Sequence, residues 1–188
     1  MKGFIYNEET RKHTLDGIDI PSVTKVLPPK NFYCTPEQLE AARNEGIDNH
    51  SAIKMFHDTG ETFGNPLLIA YEKWLKENIV FFGELVCHEK PMFSKNGFCG
   101  KADSIFEHAI IDFKRGPGDK KRRALQLAGY SILAQENLKI KTKMLISAYF
   151  NDKKIIAKNI YDPHAESIFI SLVRKWQIEQ TLKKFMEG

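Results

Sequence analysis

The order of elements legible in the sequence predicts an α+β or α/β fold built on a mixed sheet. Three observations carry that prediction. Apolar residues recur at helical spacing in the first part of the chain, as with Leu67, Ala70, Tyr71 and Trp74. Short apolar runs separated by turn residues follow, and a helical period returns twice, once between strands and once at the end.

Residues 4–27 alternate short apolar pieces with turn residues such as Asp16-Gly17 and end at Pro28-Pro29, which predicts a small hairpin or irregular flap. Thr35-Pro36-Glu37 supplies an N-cap, a first-position proline and an acidic first turn, so a helix is expected to run to Asn44, with Gly46 as its stop. Two further helices are expected over 50–57 and 66–77. Strands are expected over 85–93, 98–106 and 109–114, separated by Lys95-Asn96-Gly97 and Glu107-His108. Gly116-Pro117-Gly118 breaks the chain before a helix over 120–136. A hairpin over 143–150 and 153–160 turns at Asn151-Asp152, and Asp162-Pro163 opens a last amphipathic helix carrying Ile168, Leu172, Trp176 and Ile178.

With 188 residues, 42% apolar, the chain can bury a full core without disulfides or a structural metal. Its 28% charged and 11% aromatic residues exclude a disordered tail. The net charge of +4 suits a polyanionic partner and is equally common in plain enzymes. Cys34, Cys87 and Cys99 are odd in number and lack close spacing, which argues against a disulfide scaffold or a cysteine-built zinc or iron–sulfur site. The N-terminus turns acidic too early for a signal peptide, and no apolar run approaches the roughly 18 residues of a membrane span. The expectation is a soluble, cytoplasmic protein of a reducing compartment, with no membrane partner.

Residues 97–130 carry the most chemistry. If Glu107 and His108 form a hairpin turn, residues whose numbers sum to 215 face each other, and Asp103 lies opposite Asp112. Lys114 shares the face of Asp112 by period-2 alternation. Like charges in opposed positions repel, and a divalent cation between them would reverse the sign; carboxylate oxygens suit Mg²⁺ or Mn²⁺. The alternative is that one aspartate faces solvent, and spacing leaves both open. Gln126 and Tyr130 share a helical face four residues apart. Lys120, Lys121, Arg122 and Arg123 crowd a helix N-terminus, where the macrodipole disfavours cations. A solvated charge run explains this, and so would a phosphate bound at that end.

G-x-x-D at Gly100 to Asp103, D-x-K at Asp112-Phe113-Lys114 and Q-x-x-x-Y at Gln126 to Tyr130 together resemble the PD-(D/E)XK nuclease superfamily in its RecB-like branch. Pro21-Ser22-Val23-Thr24 and the G-x-x-x-H of Gly46 to His50 bring the likeness nearest to the mitochondrial genome maintenance exonucleases and small phage exonucleases. The resemblance implies a restriction-endonuclease-like core with a mixed central sheet flanked by helices and an N-terminal helical lobe. It also implies one nuclease domain over 1–188, with a flap and helical part at 1–78 and a catalytic core at 79–188.

Carried over residue by residue, it makes His50, Asp103, Asp112 and the Phe113 carbonyl ligands of one or two Mg²⁺ or Mn²⁺ ions. Asp103, Asp112 and Lys114 become catalytic, with Lys114 as the catalytic lysine. Gln126 and Tyr130 would contact or organise the DNA backbone, and Arg115, Lys120, Lys121, Arg122 and Arg123 would grip its phosphates. Glu89 fits the branch's additional glutamate better than Glu84 does. The iron–sulfur cluster of some relatives, which takes four cysteines, is not carried over. Phe32 or Tyr33 could stack on unpaired bases or belong to the core. The implied activity is metal-dependent hydrolysis of a P–O3′ bond from DNA ends, in phage or bacterial recombination, repair or replication, beside a protein partner of such a process. A structure-specific endonuclease and a non-catalytic DNA-binding module on the same fold are the alternatives. His13, His57, His88, His108 and His164 lack motif partners and read as structural or exposed.

Overall fold

The computed structural model describes residues 3–7, 10, 12–29, 35–116, 118–151 and 154–187. Strands β1 (Phe4–Asn7), β2 (Lys12–Leu15) and β3 (Ile18–Asp19) form a small antiparallel flap, with β2 and β3 joined at Asp16-Gly17. The short helix α1 (Val23–Val26) follows, capped by the Ser22 side chain, with Val23 and Val26 buried. Phe32, Tyr33 and Cys34 lie outside the described residues.

The two helices expected over 36–44 and 50–57 are one helix, α2 (Pro36–Thr59), opened by a capping box between Thr35 and Gln38 and closed at Gly60. Gly46 does not stop it. An interior glycine costs about 1 kcal/mol relative to alanine, less than a continuous helix recovers by docking Ile53 and Phe56 into the core. Helix α3 (Pro66–Phe82) runs five residues past its expected end, to Gly83 at φ 75°, where a glycine can cap it. The division expected at 78/79 therefore falls inside α3.

Two of the expected strands are each broken in two. The first becomes β4 (Leu85–His88) and β5 (Met92–Ser94), and the second β6 (Phe98–Gly100) and β7 (Ser104–Phe106). Strands β5 and β6 pair as a separate hairpin, while β4 and β7 enter the main sheet. The first break falls at Glu89, whose φ of 42° cannot continue a strand. Its N–H donates to the carbonyls of Ala102 (3.0 Å) and Asp103 (3.2 Å), so the two breaks lie against each other.

Strand β8 (Ile110–Lys114), helix α4 (Lys120–Leu138), β9 (Leu145–Asn151), β10 (Lys154–Asn159) and helix α5 (Ala165–Glu187) complete the chain. The main sheet has the order β10-β9-β8-β7-β4, antiparallel except for the β8–β9 pair that α4 connects. This is the mixed α+β architecture expected, a five-stranded sheet with helices on both faces. Ile110 packs with Leu127, Tyr130 and Leu133 of α4, whereas Ile111 and Phe113 pack with Ile53, Phe56, Leu68 and Tyr71 of α2 and α3. Alternation along β8 thus sends Asp112 toward α4 and the Phe113 side chain toward α2.

Two glycines set how closely these layers approach. A Cβ on Gly100 would lie 3.0 Å from Val23, 3.2 Å from Tyr130 and 3.3 Å from Leu133, so the P-S-V-T, G-x-x-D and Q-x-x-x-Y segments meet at one point. A Cβ on Gly129 would come within 2.7 Å of the Phe169 ring, which is fully buried and edge-packed on Phe98. Alanine at a helical glycine ordinarily gains about 1 kcal/mol, but overpacking a rigid core costs about 1–3 kcal/mol. Gly129→Ala is therefore expected to lower stability, read as a reduced urea midpoint; a raised midpoint would show that Phe169 yields freely.

Candidate metal and catalytic site

Strands β7 and β8 pair Ser104 with Ile111 and Ile105 with Ile110, the register the sequence predicts. The turn closes with the Phe106 N–H on the Ala109 carbonyl at 2.8 Å, leaving Glu107 and His108 at its tip. Asp103 stands just before β7. Its Oδ2 accepts the Phe113 N–H at 2.6 Å. Asp112 is 1% exposed; its Oδ2 lies 2.5 Å from Lys114 Nζ, and its Oδ1 accepts from Gln126 Nε2 at 3.2 Å. The aspartates thus have separate partners, and neither carboxylate turns to bulk solvent.

Helix α2 delivers His50 to the same place. Its Nε2 is 3.3 Å from the Phe113 carbonyl oxygen, and its Nδ1 is 3.3 Å from Asp103 Oδ1 and 3.7 Å from Glu89 Oε1. One donor atom from each of His50, Glu89 and Asp103 lies within 4.8 Å of the others. The left-handed backbone of Glu89, fixed by the Ala102 and Asp103 carbonyls, is what turns its carboxylate here. Glu84 sits elsewhere, its N–H bonded to Glu107 at 3.1 Å. The small cleft beside the cluster is lined by Ile53, Lys54 and His88 in addition to the cluster residues.

The electrostatics follow from this crowding. Burial alone would lower the His50 pKa, but the Glu89 hydrogen bond and the charges of Asp103 and Asp112 together raise it to about 9. Its charged form therefore contributes stability that is complete below about 6.5 and fades as pH rises through about 9. Burial first, and the Asp112 charge second, push Asp103 above the usual carboxylate range. Glu89 is held low, mainly by its bond to His50. The His50 ring thus lies between two carboxylates, those of Glu89 and Asp103.

Gln126 and Tyr130 are both buried, 8% and 5% exposed, and Gln126 Nε2 also reaches the Tyr130 hydroxyl at 3.1 Å. They organise Asp112 from behind. Of the basic run, Lys120 and Lys121 are exposed. Arg122 donates to the Pro28 carbonyl, and Arg123 to Ser147 Oγ (3.0 Å) and the Gly116 carbonyl. Asp119 caps α4, accepting the N–H groups of Lys121 (2.9 Å) and Arg122 (3.2 Å), so the helix end considered for a phosphate already carries a carboxylate. Arg115 is exposed directly after Lys114.

His57, one face along α2 from His50, bonds the Tyr71 hydroxyl at 2.7 Å and stacks on His88, whose Nε2 is 3.1 Å from Asp58. Burial, then the His88 charge, lowers its pKa to about 4. Lys54 lines the cleft from α2 without standing in any motif, and Lys101 lies inside the G-x-x-D segment.

No protein-family model matches the chain, and no curated protein does. Among solved structures, a candidate exonuclease from Eubacterium rectale aligns at a TM-score of 0.44 and 13% identity, covering 82% of this chain and 69% of its own. SSO0001 aligns at a TM-score of 0.36 and 18% identity, over 70% of this chain and 71% of its own. Among the described residues, no helix is long and apolar enough to cross a membrane.

Proposed function

We propose that the chain is a metal-dependent deoxyribonuclease, an exonuclease of the PD-(D/E)XK type that hydrolyses phosphodiester bonds from DNA ends. One observation carries this reading. His50, Glu89, Asp103 and the Phe113 carbonyl, drawn from a span of more than sixty residues, converge beside an Asp112–Lys114 pair.

The donor set fits a hard divalent cation. Three carboxylates face one ammonium and one imidazole, and replacing the His50 proton with a divalent ion would bring the group near neutrality. His50 Nδ1, Glu89 and Asp103 would hold the ion, while the Phe113 carbonyl faces the other ring nitrogen, Nε2, at 3.3 Å and the Asp112 carboxylate is held by Lys114 and Gln126. Bound there, Mg²⁺ or Mn²⁺ supplies Lewis-acid neutralisation of phosphate charge and a more acidic water.

The chain's own residues do the rest. Asp112 holds the Lys114 ammonium at the mouth of the site, where it orients the attacking water and stabilises charge developing on the phosphorus oxygens. Gln126 fixes Asp112, and Tyr130 fixes Gln126. Lys120, Lys121 and Arg115 offer phosphate contacts that carry no sequence information.

Linear, circular and single-stranded DNA incubated with Mg²⁺ test the reading. Loss of label from ends, with circles intact, is expected. Nicked circles would make it an endonuclease, and retardation without products a binding module.

A further inference from the structure

We propose that Lys101 is a phosphate-binding residue of this site, with its ammonium held by Tyr6 of the flap, so that the flap and the G-x-x-D segment together line the path of the nucleic-acid strand. The proposal rests on the nuclease reading and adds a substrate contact to it.

Lys101 Nζ sits 4.8 Å from the centroid of the Tyr6 ring. The Tyr6 ring is backed by His13 at 4.6 Å, His13 stacks on Phe4 at 5.9 Å, and Phe4 meets Phe93 of β5 at 5.8 Å. The far end of the flap is tied down as well, because the Cys99 N–H donates to the Pro21 carbonyl at 3.0 Å. The flap is therefore fixed to the β5–β6 hairpin at both ends, and Tyr6 is a rigid support. A cation over an aromatic face is held in place and keeps its charge unneutralised.

Lys101 is half-buried and, among the described residues, forms no ion pair with a carboxylate within 4 Å. It directly precedes Ala102 and Asp103, whose carbonyls accept the Glu89 N–H. Among the described residues, then, the Lys101 ammonium stands on an aromatic support two residues ahead of Asp103 and without a carboxylate partner. The cluster repels a polyanion, and a rim cation offsets that repulsion and engages a phosphate next to the one being cut.

The test compares wild type with Lys101→Met, Lys101→Arg and Tyr6→Leu, in steady-state cleavage and in oligonucleotide binding by anisotropy across a salt series. Lys101→Met is expected to raise KM about five- to tenfold with kcat within about twofold, the signature of lost uniform binding. It should also reduce the salt slope of binding by about 0.7–0.9, the loss of one phosphate contact. Lys101→Arg keeps the charge and the aromatic contact and should restore both. Tyr6→Leu should move KM in the same direction, by less. Unchanged KM and salt slope in Lys101→Met, with wild type active, would overturn the assignment and leave the nuclease reading standing. A wild type that neither binds nor cuts DNA would overturn both.

Discussion

Lys114→Ala is expected to lower the turnover of DNA cleavage by at least about a thousandfold, equivalent to roughly 4 kcal/mol of barrier, while DNA binding falls little. Lys114 makes one contact with the reacting centre, whereas phosphate affinity is spread over several cations. The structure adds a second consequence. Lys114 is the cation on a carboxylate that is only 1% exposed, and removing it leaves that charge uncompensated. The metal-free variant should therefore be less stable, on the order of 1–3 kcal/mol. Turnover above about a tenth of wild type, measured with folded protein, would remove Lys114 from the chemistry.

Asp103→Asn should abolish Mg²⁺-dependent activity and, in EDTA, leave stability unchanged or raised. Burial and the neighbouring Asp112 charge push its carboxyl up, so the ionised form burdens the fold. That cost appears as pH rises through the folded value and is absent in the amide. The asparagine oxygen can still accept the Phe113 N–H. Asp112→Asn differs, because it surrenders the Lys114 pair, and it should lose stability in EDTA. Thermal melts of both variants at pH 8 distinguish them; equal losses would mean that Asp103 has a structural role.

The architecture was legible where one signal dominated. The hairpin register follows from placing the turn at Glu107-His108, the Thr35 cap opens its helix where expected, and the next helix starts at Pro66 as expected. The misreadings have local causes. Gly46 has the composition of a helix stop, but tertiary docking of α2 outweighs the propensity of one glycine. Strands 85–93 and 98–106 look continuous because their apolar pattern spans the breaks; nothing in a one-dimensional pattern reveals the left-handed Glu89 that divides the first.

The site was partly legible for the same reason. Asp103, Asp112 and Lys114 lie close in sequence, and alternation relates them. His50 and Glu89 came from resemblance, and their convergence on Asp103 depends on the packing of α2 against the sheet. The internal duties of Arg122 and Arg123 toward Pro28 and Ser147 are contacts between distant segments that composition cannot express, whereas the Asp119 cap is local to α4.

Mn²⁺ titration by calorimetry of wild type, His50→Ala and His57→Ala tests the metal centre most directly. Wild type should bind with release of about one proton at pH 7, because His50 is protonated until about 9 and must be neutral to ligate. Its affinity should rise with pH toward that value. His50→Ala should bind at least about tenfold more weakly and release no such proton. His57→Ala should bind like wild type although it strands the buried Tyr71 hydroxyl and loses stability. Equal Mn²⁺ affinity in all three proteins, with no proton released, would contradict the assignment of His50 and of the site built around it.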